Sequence, residues 1–428
     1  MRVLPAATVR LLDGAEHSAK MPSWQRTLAL MVGVQFVSAL AFSIIFPFLP
    51  LYVKQLSSPS SWSIEVLSGL VFSVQALTMA IASPFWGVVA DRFGRKLMVL
   101  RATLGGAVVI LLMGFVTSAE QLVALRAVQG LLTGVISASN ALVASVAPRE
   151  RTGYAMGLLQ VGLWSGVSAG PLLGGVLADL VGFRVTFAIT SAILLLSGVG
   201  VWLGVQDPFV RTEQRGLGGA GFLRDWQRVL SNPQLDWVLG LRFLAATGRA
   251  TTEPLLPLFV AILVPGTTRT ASLTGLIVGT SSVVSTATAV SLGRLGDRIG
   301  HGRVIFWCGV AATLSFLPQA WVTDVWQLLA LQALAGGSVG GLIPSLSALL
   351  ARHSQSGDEG CVYGIDNSVT SMGRTLAPLL GAACAVWFSL RAAFLAAGLL
   401  FAAVAVLAAL TLGRPGSPED RRGAPAGC

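Results

Sequence analysis

Twelve continuous apolar runs, separated by charged residues or Pro/Gly-rich breaks, occupy most of the chain: Thr27 to Val53, Ile64 to Ala90, Leu97 to Thr117, Gln121 to Ala147, Gly153 to Leu180, Val185 to Val205, Trp237 to Val264, Leu273 to Leu295, Val304 to Ala320, Val325 to Ala351, Val362 to Trp387 and Ala392 to Leu412. A helix needs about 20 apolar residues to cross the hydrocarbon core of a bilayer, so each run predicts one membrane span. Strands of an outer-membrane barrel would instead alternate apolar and polar side chains over short stretches. The predicted fold class is an all-α polytopic membrane protein.

The spans fall into two sets. Phe46-Pro47-Phe-Leu-Pro50-Leu-Tyr-Val53 recurs as Glu253-Pro254-Leu-Leu-Pro257-Leu-Phe-Val260, 207 positions on. Gly87 and Asp91 recur as Gly293 and Asp297; Gly157, Gly166 and Pro171 recur as Gly364, Gly373 and Pro378. Near-constant spacing at separated places reads as a duplicated six-helix unit, and parallel repeats in a polytopic protein place a substrate path where the two halves meet. The predicted organisation is a cytoplasmic tail over 1–26, a six-helix bundle over 27–205, a cytoplasmic linker over 206–236, a second bundle over 237–412 and a cytoplasmic tail over 413–428.

Composition agrees: of 428 residues 54% are hydrophobic and 11% charged, with a mean hydropathy of +0.75. Soluble domains carry about 25% charge, so an ordinary cytosolic enzyme and a disordered protein are excluded. The net charge of +10 is a topology signal. About twenty basic residues fall in the two tails and the loops after even-numbered spans, against Lys54, Arg184, Arg269 and Arg391 in the other loops, which predicts both termini in the cytoplasm. Nothing in that placement calls for a nucleic-acid partner; anionic lipid suffices.

Candidate chemistry is sparse. Cys308, Cys361, Cys384 and Cys428 lack paired spacing, and His17, His301 and His353 are far apart in polar stretches, so no metal site or disulfide framework is expected and the histidines read as solvated. None of Lys20, Lys54 and Lys96 follows a glycine, so the chain has no GK[ST] phosphate loop. Gly216-x-Gly218-x-x-Gly221 matches a dinucleotide fingerprint but lacks a preceding strand. No enzyme constellation and no cofactor are expected, and the chain cannot power itself with ATP alone.

Ionisable residues inside membrane spans are the default functional candidates. Arg126, with Gln129 and Gly130, lies about seven residues into the fourth run, a position that either faces a cavity or snorkels to the headgroups. Gln332 holds the corresponding place in the second half. Glu253 replaces the first repeat's Phe46 and lies four residues after Arg249, so the two share a helix face. Glu253, Arg126, Arg249 and Asp366 are the candidates for proton coupling, and Asp366 has the alternative of charging a helix N-terminus. Arg126, Arg242, Arg249 and Arg374 outnumber the two acids, which favours anionic or zwitterionic ligands over lipophilic cations.

Gly87-x-x-x-Asp91-Arg92-x-Gly94-Arg95-Lys96 resembles the signature loop of the major facilitator superfamily. Gly157-x8-Gly166-x3-Gly170-Pro171-x2-Gly174-Gly175 is similar to the pattern that marks antiporters within it, and Arg126-x-x-Gln129-Gly130 resembles its charged fourth-helix motif. Pro47-x-x-Pro50 and Ala82-Ser83-Pro84-Phe85-Trp86-Gly87 look like the twelve-helix drug:proton antiporter branch, among bacterial multidrug-resistance efflux proteins.

The resemblance implies a secondary transporter of two six-helix bundles in the bacterial inner membrane. It would be a monomer surrounded by lipid, exporting small drug-like molecules in exchange for protons by alternating access. A metabolite or sugar exporter and a proton-coupled nutrient symporter are the alternatives, with a non-transporting receptor behind them. Gly87, Asp91, Arg92, Gly94, Arg95, Lys96 and Asp297 would form a conformational latch, weaker in the second copy, where His301 and Gly302 replace Arg95 and Lys96. Spans one, four, seven and ten would line the pocket with Gln35, Arg126, Glu253 and Gln332.

Overall fold

The computed structural model describes residues 23–132, 134–148, 151–205, 233–353 and 359–412. The two tails, most of the linker and its glycine fingerprint, His17 and Cys428 lie outside the described residues. Helices account for nearly all the rest, in the order α1 (Ser23–Ile44), α2 (Leu49–Gln55), α3 (Ile64–Phe93), α4 (Arg95–Met113), α5 (Ala119–Leu132), α6 (Val135–Val146), α7 (Thr152–Val181), α8 (Phe183–Gly204), α9 (Pro233–Thr251), α10 (Leu256–Leu263), α11 (Thr270–Ile299), α12 (His301–Phe316), α13 (Val325–His353), α14 (Glu359–Trp387) and α15 (Leu390–Leu412). Among the described residues, eleven spans are long and apolar enough to cross a membrane. The twelfth, α9 with α10, is more polar because it carries Asp236, Arg242 and Arg249, followed by Glu253 at the break.

Three spans are interrupted, each for a local reason. Pro47 and Pro254 remove backbone donors, and the first and seventh spans break over 45–48 and 252–255 before restarting as the stubs α2 and α10. Between α5 and α6 the chain turns at Gly134, whose φ of +133° suits only glycine.

Twelve crossings bring the start of α1 and the end of α15 to one face, here the terminal face, with the far face opposite. In the first half, span five packs on span one through small residues, as its glycine spacing predicts. A methyl group on Gly174 would fall on the Ile44 carbonyl, one on Gly166 on that of Phe36, and one on Gly170 would lie 2.5 Å from Ser43 Cβ. Near the far face the first half closes over stacked Phe48 and Phe183 (5.4 Å) with Phe187 edge-on (5.2 Å). In the second half Phe259 packs on Phe394 (4.9 Å), at the positions equivalent to Tyr52 and Phe187.

The halves join near the far face. Gly69 of α3 packs on the Pro378 carbonyl and Ala382 of α14. Gly175 and Pro171 of α7 pack on Ala271 and Gly275 of α11. Asp179 closes this seam: its carboxylate accepts from the backbone N–H groups of Ala271 (3.3 Å) and Ser272 (2.6 Å), capping the N-terminus of a helix in the opposite half. The stubs α2 and α10 meet above the breaks.

Toward the terminal face the same four helices part. Ile81 and Phe85 on α3, Val290 on α11 and Met372 on α14 are all more than half exposed. Around Gly157 and Gly364 there is open space. With the named contacts between the halves at the far-face ends of these helices and open space at Gly157 and Gly364 toward the other, the halves are arranged as a cleft roofed at the far face and open at the terminal one.

Candidate functional site

The two proline breaks place Phe46 and Glu253, equivalent in the repeat, directly below the roof. They give the two walls opposite characters. On the first, Phe46 stacks on Phe72 at 5.7 Å with the rings 17° from parallel. The Arg126 guanidinium lies 5.6 Å from the Phe72 ring centroid. Its Nε donates to the Val71 carbonyl (3.0 Å) and its Nη1 to Gln129 Oε1 (2.6 Å). Arg126 is only 2% exposed, and Nη2 finds no partner among the described residues. That burial removes the snorkelling alternative: the side chain turns inward, onto α3.

The second wall is charged. Arg249 and Glu253 have Nε and Oε1 3.6 Å apart, with side chains 37% and 45% exposed. A close charge-assisted hydrogen bond measures about 2.7 to 2.9 Å, so the pair is loose and both groups remain open to the cleft. Gly373 of α14 packs on Ala246 and Thr247 of α9, which brings the next residue, Arg374, level with them. Arg374 is exposed and lies within electrostatic reach of Arg249, Glu253 and Arg242.

Asp366 is different. Arg242 grips it with both arms of its guanidinium, Nε to Oδ1 at 2.7 Å and Nη2 to Oδ2 at 2.8 Å, and also donates to the Ile343 carbonyl. Asp366 is 6% exposed. Instead of merely charging a helix N-terminus, it ties spans seven, ten and eleven together through Arg242. This pairing was not apparent in the sequence.

Other expected residues are placed elsewhere. Gln35 is 1% exposed, inside the first half, and neither end of its amide has a described partner. Gln332, 7% exposed, donates to Gln319 Oε1 (3.0 Å), and Gln319 donates in turn to the Ser315 carbonyl. Neither glutamine reaches the open cleft in this conformation. Phe46 and Arg374, both exposed, stand at its edge, and Phe72 is buried behind Phe46; the repeat alignment pointed to Phe46, but nothing marked Phe72.

In the loop between spans two and three, α3 continues through Gly87, Asp91 and Arg92, whose side chains lie outside the described set. Gly94 (φ 94°) makes the turn. Arg95 donates to the Ala141 carbonyl (3.0 Å) and Lys96 to that of Trp202 (2.8 Å), both within the first half. In the second copy Asp297 Oδ1 lies 3.3 Å from His301 Nε2. His301 is 3% exposed, contrary to the expectation that it is solvated: Gly296 leaves room for its ring to fold back on α11. His353 is also partly covered, with Nδ1 2.8 Å from the Leu349 carbonyl.

Comparison with known proteins adds to this geometry. The family profile described as Major Facilitator Superfamily matches residues 31–268 and again 242–426. Among curated proteins, the chain is 39% identical over 378 residues to the multidrug resistance protein MdtG of Serratia proteamaculans, covering 88% of this chain and 91% of the relative. It is 38% identical over 375 residues to MdtG of Salmonella paratyphi A, covering 87% and 92%. Similar solved structures include the nucleoside transporter NupG (TM-score 0.76, 12% identity, 90% of this chain and 99% of that one). Another is a bacterial homologue of the human lysosomal transporter Spinster (TM-score 0.78, 15% identity, 94% and 100%).

Proposed function

The chain belongs to the major facilitator superfamily, and from that premise we propose that it is a secondary exporter of small drug-like molecules, exchanging them for protons by alternating access. The observation that carries the reading is Glu253: a carboxylate at a helix break, half open to a cleft between two halves, loosely held by one arginine. A group so placed can lose and regain a proton as the halves rock, because rocking changes which charges and how much water surround it. Asp366, locked to Arg242, is the weaker candidate. Arg126, buried on the opposite wall with an unpaired nitrogen, supplies a fixed positive charge on the first half.

The positive-inside distribution supports a bacterial inner-membrane location with both termini cytoplasmic, which makes the described conformation inward-open. In that state the loop around Gly94 has Arg95 bonded within its own half, as a released latch would. The carrier acts as a monomer in lipid and needs no cofactor, since a proton entering down a 100 mV potential supplies about 2.3 kcal/mol, enough for a substrate gradient of some tens-fold.

The test is a resistance panel in an efflux-deficient host, with everted vesicles to read proton flux on substrate addition. Wild type is expected to give resistance and substrate-dependent proton release from the vesicle lumen. Glu253→Gln is expected to abolish both and Arg126→Ala to reduce them. Unchanged resistance in both variants would remove these residues from the mechanism. Proton movement in the opposite sense would make the protein a symporter.

A further inference from the structure

The charges around Glu253 restrict what can be exchanged for its proton. Glu253 faces Arg249 from its own span at 3.6 Å, and Arg374 from α14. Arg242 is already neutralised by Asp366. On the opposite wall the charged group is Arg126, behind the Phe72 ring. The cleft therefore holds more guanidinium than carboxylate, and Arg374 makes no hydrogen bond or ion pair to a described residue.

Proton exchange requires that substrate and proton exclude one another at the acid. A purely anionic substrate does the reverse. It competes with ionised Glu253 for the arginines, so protonation of Glu253 favours its binding, and proton and anion would travel in the same direction. A purely cationic substrate excludes the proton correctly but must sit among unneutralised arginines. Only a molecule carrying both signs meets both conditions.

Resting on the antiport reading above, we propose that the site selects zwitterions: a cationic group displaces the proton of Glu253, an acidic group pairs with Arg374, and an aromatic or apolar body lies against Phe46, which Phe72 backs. Arg374 is then a specificity-determining residue. A substrate of zero net charge leaving for one entering proton also makes each cycle electrogenic.

A matched set of probes tests this in proteoliposomes: a piperazinyl-quinolone carboxylic acid, its ethyl ester, which is a cation, and its N-acetyl derivative, which is an anion. An acidic lumen should drive uptake of the zwitterion at least tenfold above either derivative, and an imposed membrane potential alone should also drive it. Arg374→Gln is expected to lower zwitterion uptake and raise that of the ester, with Arg374→Lys restoring the wild-type order. Gradient-driven uptake of the ester equal to that of the zwitterion would overturn the proposal while leaving antiport standing. So would an Arg374→Gln variant that loses both substrates in proportion. Zwitterion exchange that persists but answers to no proton gradient would overturn the antiport reading, and this inference with it.

Discussion

Replacing Asp179 by alanine should open the far face. In the described conformation its carboxylate caps α11 across the seam, accepting from two backbone N–H groups at 3.3 and 2.6 Å. When the halves part at this end, both bonds break and the helix N-terminus meets water instead. Loss of an N-cap costs about 0.5 to 2 kcal/mol, and a hydrogen bond to a charged group contributes about 1.5 to 3 kcal/mol. Exposure at the seam favours the lower part of these ranges, so about 1 to 2 kcal/mol leaves the state closed at the far face, a shift of roughly 5- to 30-fold in the ratio of the two conformers. Asp179→Asn keeps a side-chain acceptor without the charge and should shift the ratio less. Spin labels at positions 61 and 388, on a background without native cysteines, would report the separation of the far-face ends of α3 and α14. A growing long-distance population in the order wild type, Asn, Ala is expected. An unchanged distribution, or closer approach in the alanine variant, would refute the idea that this cap holds the roof shut.

Other consequences follow from the packing. Gly174→Val places branched carbons against the Ile44 backbone; overpacking of this kind typically costs about 1 to 3 kcal/mol, visible as a lower unfolding temperature in detergent, whereas the same change at Gly157, in open space, should be silent. Arg242→Ala strands a buried carboxylate and should destabilise by about 3 to 5 kcal/mol, while the charge swap Arg242→Asp with Asp366→Arg should recover part of that in the same thermal measurement. Glu253→Gln should abolish gradient-driven accumulation and, because the same carboxylate receives the substrate's cationic group, raise the substrate concentration needed for half-maximal counterflow in vesicles without a gradient; accumulation at the wild-type level would remove the residue from coupling.

What could be read from the chain was whatever depends on order along it. The 207-residue recurrence paired Phe46 with Glu253 before any coordinates, whereas Pro47 and Pro254 lay inside runs read as single spans, 27–53 and 237–264, and the breaks they impose were missed although a missing N–H acts locally. The four-residue glycine spacing in span five marked a face for close helix packing, but that span one fills it is seen only in the structure. What stayed hidden was the rotation of each helix about its axis. In water the polar face of a helix reveals its outside, but lipid is as apolar as a protein core, so Gln35 and Gln332 could be assigned only to a span and proved to be interior. The Arg242–Asp366 pair was equally hidden, since no local spacing links them. His301 was misjudged from its polar neighbours, although Asp297 one helical turn earlier and Gly296 beside it were available clues.

The polarity of the seventh span has a consequence for how the protein is made. An arginine within an inserting helix raises its apparent insertion cost, by up to about 2.5 to 3.5 kcal/mol at the centre, and Arg242 lies six residues inside the run 237–264. The partner that relieves Arg242, Asp366, comes 124 residues later in the chain. At about 5 to 20 residues per second, the ribosome takes roughly 6 to 25 seconds to supply it. During that interval the half-made second bundle carries an unpaired cation. Span seven therefore depends for its stable insertion on segments not yet synthesised, and a chain truncated before span eleven should leave it at the translocon or expose it to membrane proteases.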